Sequence, residues 1–236
     1  MQRTSADAAE IARFDRLAAE WWNPVGPMRP LHRMNALRVG WIAGRARRHF
    51  PEAEGPTVLD VGCGAGLASE ALARQGFSVL GIDPSARLIA AAEAHAAGST
   101  LPLRYRLAVP EALAAEGAHF HMITALEVIE HVAEPASFVA TLSSLLAPGG
   151  SLFLSTINRT LKSLIVAKLG AEYVLRLLPA GTHDWRRFIA PAKMDRLLAG
   201  AGLRLAEIAG MAFDPLTGIW RESRDLSVNY ILMAEG

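Results

Sequence analysis

The sequence predicts an α/β protein built on a seven-stranded, mostly parallel sheet with helices on both faces. Three observations carry that expectation. From Thr57 onward, short apolar runs alternate with helical periods, the pattern of a parallel sheet built from crossover units. The run Val58-Leu59-Asp60-Val61 enters a glycine-rich turn, Gly62-Cys63-Gly64-Ala65-Gly66, that opens a helix. A second apolar run, Val79-Leu80-Gly81-Ile82, also ends in an acid, Asp83.

Each element has its own local warrant. Residues 5–22 read as a helix, with Ile11, Phe14, Leu17 and Trp21 or Trp22 at three- and four-residue spacing. Asn23-Pro24-Val25-Gly26-Pro27 breaks it, and an arginine-rich helix follows over 31–49. Together, residues 1–50 form a helical cap ahead of the sheet. Strands are predicted at 57–61, 78–82, 103–107, 120–125, 150–156, 203–209 and 226–234. Helices fill the gaps, notably 66–75, 85–97, 136–147 and 191–201. Ala147-Pro148-Gly149-Gly150 reads as a helix stop and turn. Residues 158–190 interrupt the alternation as an inserted lid within a single domain, 1–236. Ligands of such sheets sit beyond the carboxyl ends of the strands, where the glycine turn and both acids fall.

Bulk composition narrows the class. Apolar residues make up 51% and charged residues 20%, which is globular, and the net charge of +1 gives no general attraction to nucleic acid. The single cysteine, Cys63, excludes an intramolecular disulfide and fits a reducing cytosol; inside the turn it reads as a small packing residue. The first residues lack a secretory apolar core, and no uncharged apolar run nears the ~20 residues that span a bilayer. A soluble or peripheral protein is expected.

The glycine turn points to a particular kind of cofactor. A dinucleotide loop reads G-x-G-x-x-G and seats a pyrophosphate on the helix N-terminus. Here the third glycine, Gly66, comes one position early, and Leu67 stands where the later one belongs. Asp60 would repel a pyrophosphate but attract an ammonium or sulfonium. S-adenosylmethionine carries both cations, plus a ribose whose hydroxyls can donate to Asp83. Asp60 through Gly66, with Gly81-Ile82-Asp83, resembles motif I and its partner acid in class I S-adenosylmethionine-dependent methyltransferases. Leu146-Ala147-Pro148-Gly149-Gly150 is similar to their later L-x-P-G-G turn. The resemblance implies a Rossmann-like methyltransferase fold.

Ala125-Leu126-Glu127-Val128-Ile129-Glu130-His131 follows the predicted fourth strand. If the chain turns helical at Glu127, then Glu127, Glu130 and His131 share one face at i, i+3 and i+4. Two carboxylates and an imidazole would suit Mg²⁺, Mn²⁺ or Zn²⁺. The alternative is that the acids satisfy loop amides while the histidine caps a helix or acts as a base. His183, in Gly181-Thr182-His183-Asp184, is a further candidate ligand or base, or a solvent-facing turn residue.

The flanking segments resemble one family more narrowly. Trp21-Trp22-Asn23, Pro30 through Arg38, Asn158 through Ser163, Gly170 through Arg176, Pro179 through Asp184 and Val228-Asn229-Tyr230 occur in the order seen in the ubiquinone-biosynthesis O-methyltransferase family. That likeness runs from about Ile11 to Tyr230. It implies two O-methylations, on an early polyprenyl catechol and on the late demethylubiquinol. It also implies cofactor contacts at Arg38, Gly62, Asp83 and Leu126, and a divalent-metal triad of Glu127, Glu130 and His131. The cofactor-contact position held here by Leu126 is commonly methionine in the family. With the loop itself, the expected cofactor set is Arg38, Asp60, Gly62, Gly64, Gly66, Asp83 and Leu126. Catalytic candidates are His131 and His183, either of which would serve as a general base without a metal.

A polyprenyl acceptor lies in a bilayer. Residues 158–187 carry Arg159, Lys162, Lys168, Arg176, Arg186 and Arg187 among many leucines, against Glu172 and Asp184. Such a stretch suits an anionic membrane surface or an amphipathic lid, and the lipid substrate favours the membrane. The expected location is cytoplasmic, peripheral to the inner membrane, where other ubiquinone-biosynthesis enzymes are possible partners. Arg29, Arg33, Arg38, Arg45, Arg47 and Arg48 lack interleaved aromatics, so no nucleic-acid partner is expected. Two alternatives remain open: a methyltransferase for another small molecule or for RNA ends, and a cofactor-binding module without turnover.

Overall fold

The computed structural model describes residues 8–51, 55–160, 162–163, 187–214 and 217–236. His183 and most of the expected lid at 158–190 and of the cationic segment 158–187 lie outside the described residues.

The chain begins with helix α1 (Ala8–Asp15), a short 3₁₀ turn at Ala18–Glu20 and a long helix α2 (Arg29–His49). The expected single helix over 5–22 is therefore broken after Asp15. Pro30 sits in the first turn of α2, where its missing N–H has no intrahelical role. The sheet then builds up as β1 (Thr57–Val61), α3 (Leu67–Arg74), β2 (Ser78–Asp83), α4 (Ala86–Ala96) and β3 (Leu103–Leu107). It continues as α5 (Pro110–Ala115), β4 (Phe120–Leu126), α6 (Pro135–Ser144), β5 (Leu146–Ile157), α7 (Pro191–Gly200), β6 (Arg204–Asp214), β7 (Ile219–Ser223) and β8 (Asn229–Glu235).

The strand order is β3-β2-β1-β4-β5-β8-β6-β7, with β1 to β5 parallel and β8, β6 and β7 antiparallel to their neighbours. Eight strands form where seven were expected. The difference lies at one edge, where β6 runs on to Asp214 and returns as β7, pairing Gly210 with Ser223 through Asp214 with Ile219. Ala147-Pro148-Gly149-Gly150 is a second correction. It lies inside β5, and the register slips from Phe120↔Leu146 to Met122↔Ser151. Proline and a glycine at φ 71° make that strand start irregular rather than ending it.

Strand alternation divides the core into two layers. Leu59, Val61, Ile123, Leu152 and Leu154 face α6 and α7, in a cluster with Phe138, Leu142, Met194 and Leu198. Val58, Met122 and Phe153 face the other way, against Trp41 and Ile42 of α2 and Leu72 of α3. The same parity sets Asp60 beside Val58, and Thr124 beside Met122, on the face that α2 and α3 cover. The arginines of α2 meet acids of the added edge. Arg45 reaches Glu207 and Glu222 at 3.0 Å each, and Arg48 reaches Glu207 at 3.2 Å.

Candidate active site

A cavity of about 380 Å³ opens at the carboxyl ends of β1, β2 and β4, roofed by the N-terminal segment. Gly62 and Gly64 line it at the end of β1, Asp83 at the end of β2, and Leu126, Glu127, Glu130 and His131 after β4. Phe14, Trp21 and Met28 come down from the roof.

The loop after β1 needs its glycines. Gly62, Gly64 and Gly66 all have positive φ, at 66°, 56° and 91°. A Cβ on Gly64 would stand 2.3 Å from the Trp21 ring, and one on Gly66 would stand 2.0 Å from the Tyr105 hydroxyl. Gly66 therefore serves the packing of α3 against β3, while Gly62 and Gly64 present backbone to the cavity.

Asp83 is 7% exposed and aimed by two backbone amides: Gly64 N donates to Oδ2 at 3.0 Å and Ser85 N to Oδ1 at 2.9 Å. Burial pushes its carboxyl up to about 6, against the pull of those two amides, and the carboxylates of Asp60 and Asp15 push the same way. A ligand that donates hydroxyl hydrogens to this group supplies what burial has taken away.

Asp60 sits elsewhere than expected. It is 2% exposed behind the loop, where Ser69 Oγ donates to Oδ2 at 2.5 Å and Thr124 Oγ1 to Oδ1 at 2.7 Å. Burial raises its carboxyl despite those hydroxyls and the nearby Arg38 charge. Direct contact with a ligand cation is not what this geometry offers; Asp60 braces the loop against α3 and β4 and acts on the cavity through its field. Arg38 is also buried, at 3% exposure, between Glu127 and Asp60, and burial lowers its pKa against the pull of both acids. Its Nε has no hydrogen-bond partner among the described residues, a buried donor suited to an added carboxylate.

The acid-histidine cluster is not one helical face. Strand β4 ends at Leu126, and Glu127 takes a left-handed φ of 58°, the one positive φ outside glycine among the described residues. A 3₁₀ turn, Ile129–His131, follows. The tight left-handed residue swings the chain back over the end of β5, which brings Ser155 Oγ to Glu127 at 2.8 Å and Thr156 Oγ1 to Glu130 at 2.9 Å. Glu130 is 4% exposed, and its carboxyl is held well above the usual range by burial first and then by the Glu127 charge beside it.

His131 turns away toward the roof. Its Nδ1 lies 2.8 Å from Glu10 of α1, and the Phe14 ring meets it edge-on at 5.3 Å. Burial lowers the imidazole pKa, and Glu10 opposes that shift. Consequently no three acidic, histidine or cysteine side chains stand together as a metal cage among the described residues. The two carboxylates still fit a cation by charge and donor type; the imidazole, as placed, does not join them.

Sequence reasoning missed the residues that hold this arrangement: Glu10, Ser69, Thr124, Ser155 and Thr156. The hydroxyls at the apolar strand ends were a visible signal, because polar residues buried there need partners. Glu10 gave none, since it looks like any exposed helix acid.

A methyltransferase-domain family matches residues 33–208. The ubiquinone biosynthesis O-methyltransferase of Methylobacterium sp. (strain 4-46) is 46% identical over 98% of this chain and 96% of its own. Those of Parvibaculum lavamentivorans and Caulobacter vibrioides are 48% and 47% identical, over 99% and 97% of this chain and 95% and 94% of theirs. Among solved structures, magnesium protoporphyrin IX methyltransferase from Synechocystis PCC 6803 with bound SAH shares the fold. It has a TM-score of 0.65 at 21% identity, over 97% of this chain and 99% of that one. A cavity with this glycine loop and this aimed acid, on a chain so close to these relatives along its length, is an S-adenosylmethionine-dependent methyltransferase site, and the chain belongs to the ubiquinone biosynthesis O-methyltransferase family.

Proposed function

We propose that this enzyme methylates catechol hydroxyls on polyprenyl intermediates of ubiquinone biosynthesis, at both O-methylation steps, including demethylubiquinol to ubiquinol. One observation carries the reading: a single cavity is lined by the cofactor loop with Asp83 and, after β4, by the carboxylates of Glu127 and Glu130. The names of the relatives supply the acceptor class.

The chemistry follows from that layout. A ring oxygen attacks the sulfonium methyl carbon in line; the carbon–sulfur bond breaks, and its electron pair stays on sulfur. The hydroxyl proton must leave first, because a free phenol ionises near pH ~10. Asp83 and Arg38 would hold the ribose and the carboxylate of the cofactor, Leu126 would pack on its adenosine, and the Phe14–Met28 roof excludes water. Positioning two reactants in one cavity would supply much of the rate. Glu127 and Glu130 would hold a divalent cation, Mg²⁺ by donor type, with His131 joining if Glu10 releases it. The cation would supply positive charge that lowers the hydroxyl pKa. Without one, His131 takes the proton as base, its ring oriented by Glu10. EDTA-treated enzyme is expected to lose activity and regain it with Mg²⁺ or Mn²⁺. Full activity after stringent metal removal would rule out the cation.

The acceptor's polyprenyl tail requires a route to the bilayer. No described helix is long and apolar enough to cross a membrane. The cationic, leucine-rich segment 158–187 is therefore proposed as a peripheral contact with anionic lipid on the cytoplasmic side of the inner membrane. Flotation with anionic liposomes is expected for the whole chain and not after deletion of 160–178. Equal flotation of both proteins would show that the contact lies elsewhere.

A further inference from the structure

The cavity has a second side that the cofactor chemistry leaves unused. In strand order it lies away from the glycine loop, beyond β5, and is lined by Ile157 at the end of β5, Asn229 at the start of β8, Trp220 of β7 and Met34 of α2. Three of these four are apolar. Asn229 is not. It is 6% exposed, and its Oδ1 accepts no hydrogen bond among the described residues. Its Nδ2 donates to the Met34 thioether at 3.7 Å, a weak acceptor. A buried amide oxygen without a donor is uncommon in a folded protein and costs free energy unless a ligand satisfies it.

The sheet register places this oxygen with respect to the acids. Antiparallel β8 pairs Ser155 with Ile231, Thr156 with Tyr230 and Ile157 with Asn229. Ser155 and Thr156 are the residues whose hydroxyls hold Glu127 and Glu130. Asn229 therefore pairs, on the neighbouring strand, with the very next residue of β5, and by alternation its side chain shares the face of Ser155, which holds Glu127, rather than that of Thr156. Ile157 and Asn229 both line the same cavity as the two acids.

A vicinal diol has two needs that this wall and Glu127 can meet. One hydroxyl must give up its proton and accept the methyl group. The neighbouring hydroxyl keeps its O–H and needs an acceptor in an otherwise apolar wall. An amide oxygen accepts without bringing a further negative charge to the side of the cavity that holds Glu127, which an aspartate there would do. We infer that Asn229 Oδ1 accepts a hydrogen bond from the acceptor hydroxyl that is not methylated, and so selects vicinal diols over monophenols. This assignment rests on the catechol reading of the site and names a specificity residue for it.

The test uses the whole enzyme saturated with S-adenosylhomocysteine. A short-chain prenyl catechol and the matching monophenol, which lacks the neighbouring hydroxyl, are titrated calorimetrically into wild type and Asn229→Leu, a variant of the same branched shape with no acceptor. The catechol affinity of the variant is expected to fall about tenfold or more, while the monophenol changes less than about twofold. Affinity for S-adenosylhomocysteine and the melting temperature are expected to hold. Unchanged catechol affinity overturns the inference. So does an equal fall for both ligands, or a loss of cofactor affinity or melting temperature, since each marks a merely structural side chain. A wild-type enzyme that neither binds nor methylates the catechol fails the underlying reading instead, and is told apart by that control.

Discussion

Glu127→Gly is expected to abolish methyl transfer at only a small cost to the fold. Three terms set the sign on stability. Glu127 holds a left-handed φ of 58°, a conformation that costs a residue with a Cβ roughly 1 kcal/mol and glycine almost nothing. Against that gain, the buried Arg38 guanidinium loses the first of the two acids that favour its charged form. The Ser155 hydroxyl also loses its acceptor at 2.8 Å, a loss of about 1 kcal/mol. The balance is a small loss. Activity should fall by at least ~100-fold, the scale on which removing a positioned acid–base or charge-stabilising group acts. Melting curves and kcat on one preparation check both halves. A less stable variant that still methylates would show Glu127 to be structural.

Asp83→Asn is expected to weaken cofactor binding about 100-fold, with little effect on the acceptor. Both carboxylate oxygens already accept from backbone, Oδ2 from Gly64 N and Oδ1 from Ser85 N. An asparagine must turn its NH₂ toward one of those N–H groups, so it opposes a donor to a donor as well as losing the charge that ribose hydroxyls would meet. The pH dependence follows from the same residue. Its carboxyl sits near 6 in the ligand-free protein, raised above its unfolded value. The folded state therefore holds this proton more tightly than the unfolded chain. The stabilisation that goes with it is present at acid pH and lost as pH rises through about 6. A ligand that donates to the ionised form lowers that pKa, so binding releases a proton in this window. Affinity for S-adenosylhomocysteine is expected to fall as pH drops below about 6 in wild type and to stay flat in the variant. Calorimetry in buffers of different ionisation enthalpy reads both the affinity and the proton.

The sheet was legible because its signals are local. Each of the seven strand segments expected from the sequence overlaps an observed strand, and parity alone assigns Val58 and Leu59 to opposite layers. The same parity, applied to Asp60, would have put its side chain on the α2–α3 face and off the cavity wall. Charge complementarity to a cationic cofactor drew attention to the loop instead. The added strand β7 was missed because Ile219-Trp220-Arg221-Glu222-Ser223 is short and mostly polar, and it is fixed by tertiary pairing to β6 and by Arg45 reaching Glu222. Glu127, Glu130 and His131 were found by type, but their arrangement was not. A left-handed glutamate has no sequence mark, and neither does the contact of His131 with a residue 121 positions earlier, Glu10. Contacts at long sequence separation decide such sites, and periodicity is silent on them.

Methyl transfer itself offers the most direct measurement. The enzyme is incubated with methyl-deuterated S-adenosylmethionine and a short-chain prenyl catechol, and the products are fragmented by mass spectrometry. The deuterated methyl is expected on a ring oxygen in wild type and to be absent with the Glu127→Gly variant. Label on a ring carbon, or no labelled catechol from a protein that binds the cofactor, would contradict O-methylation of a polyprenyl catechol.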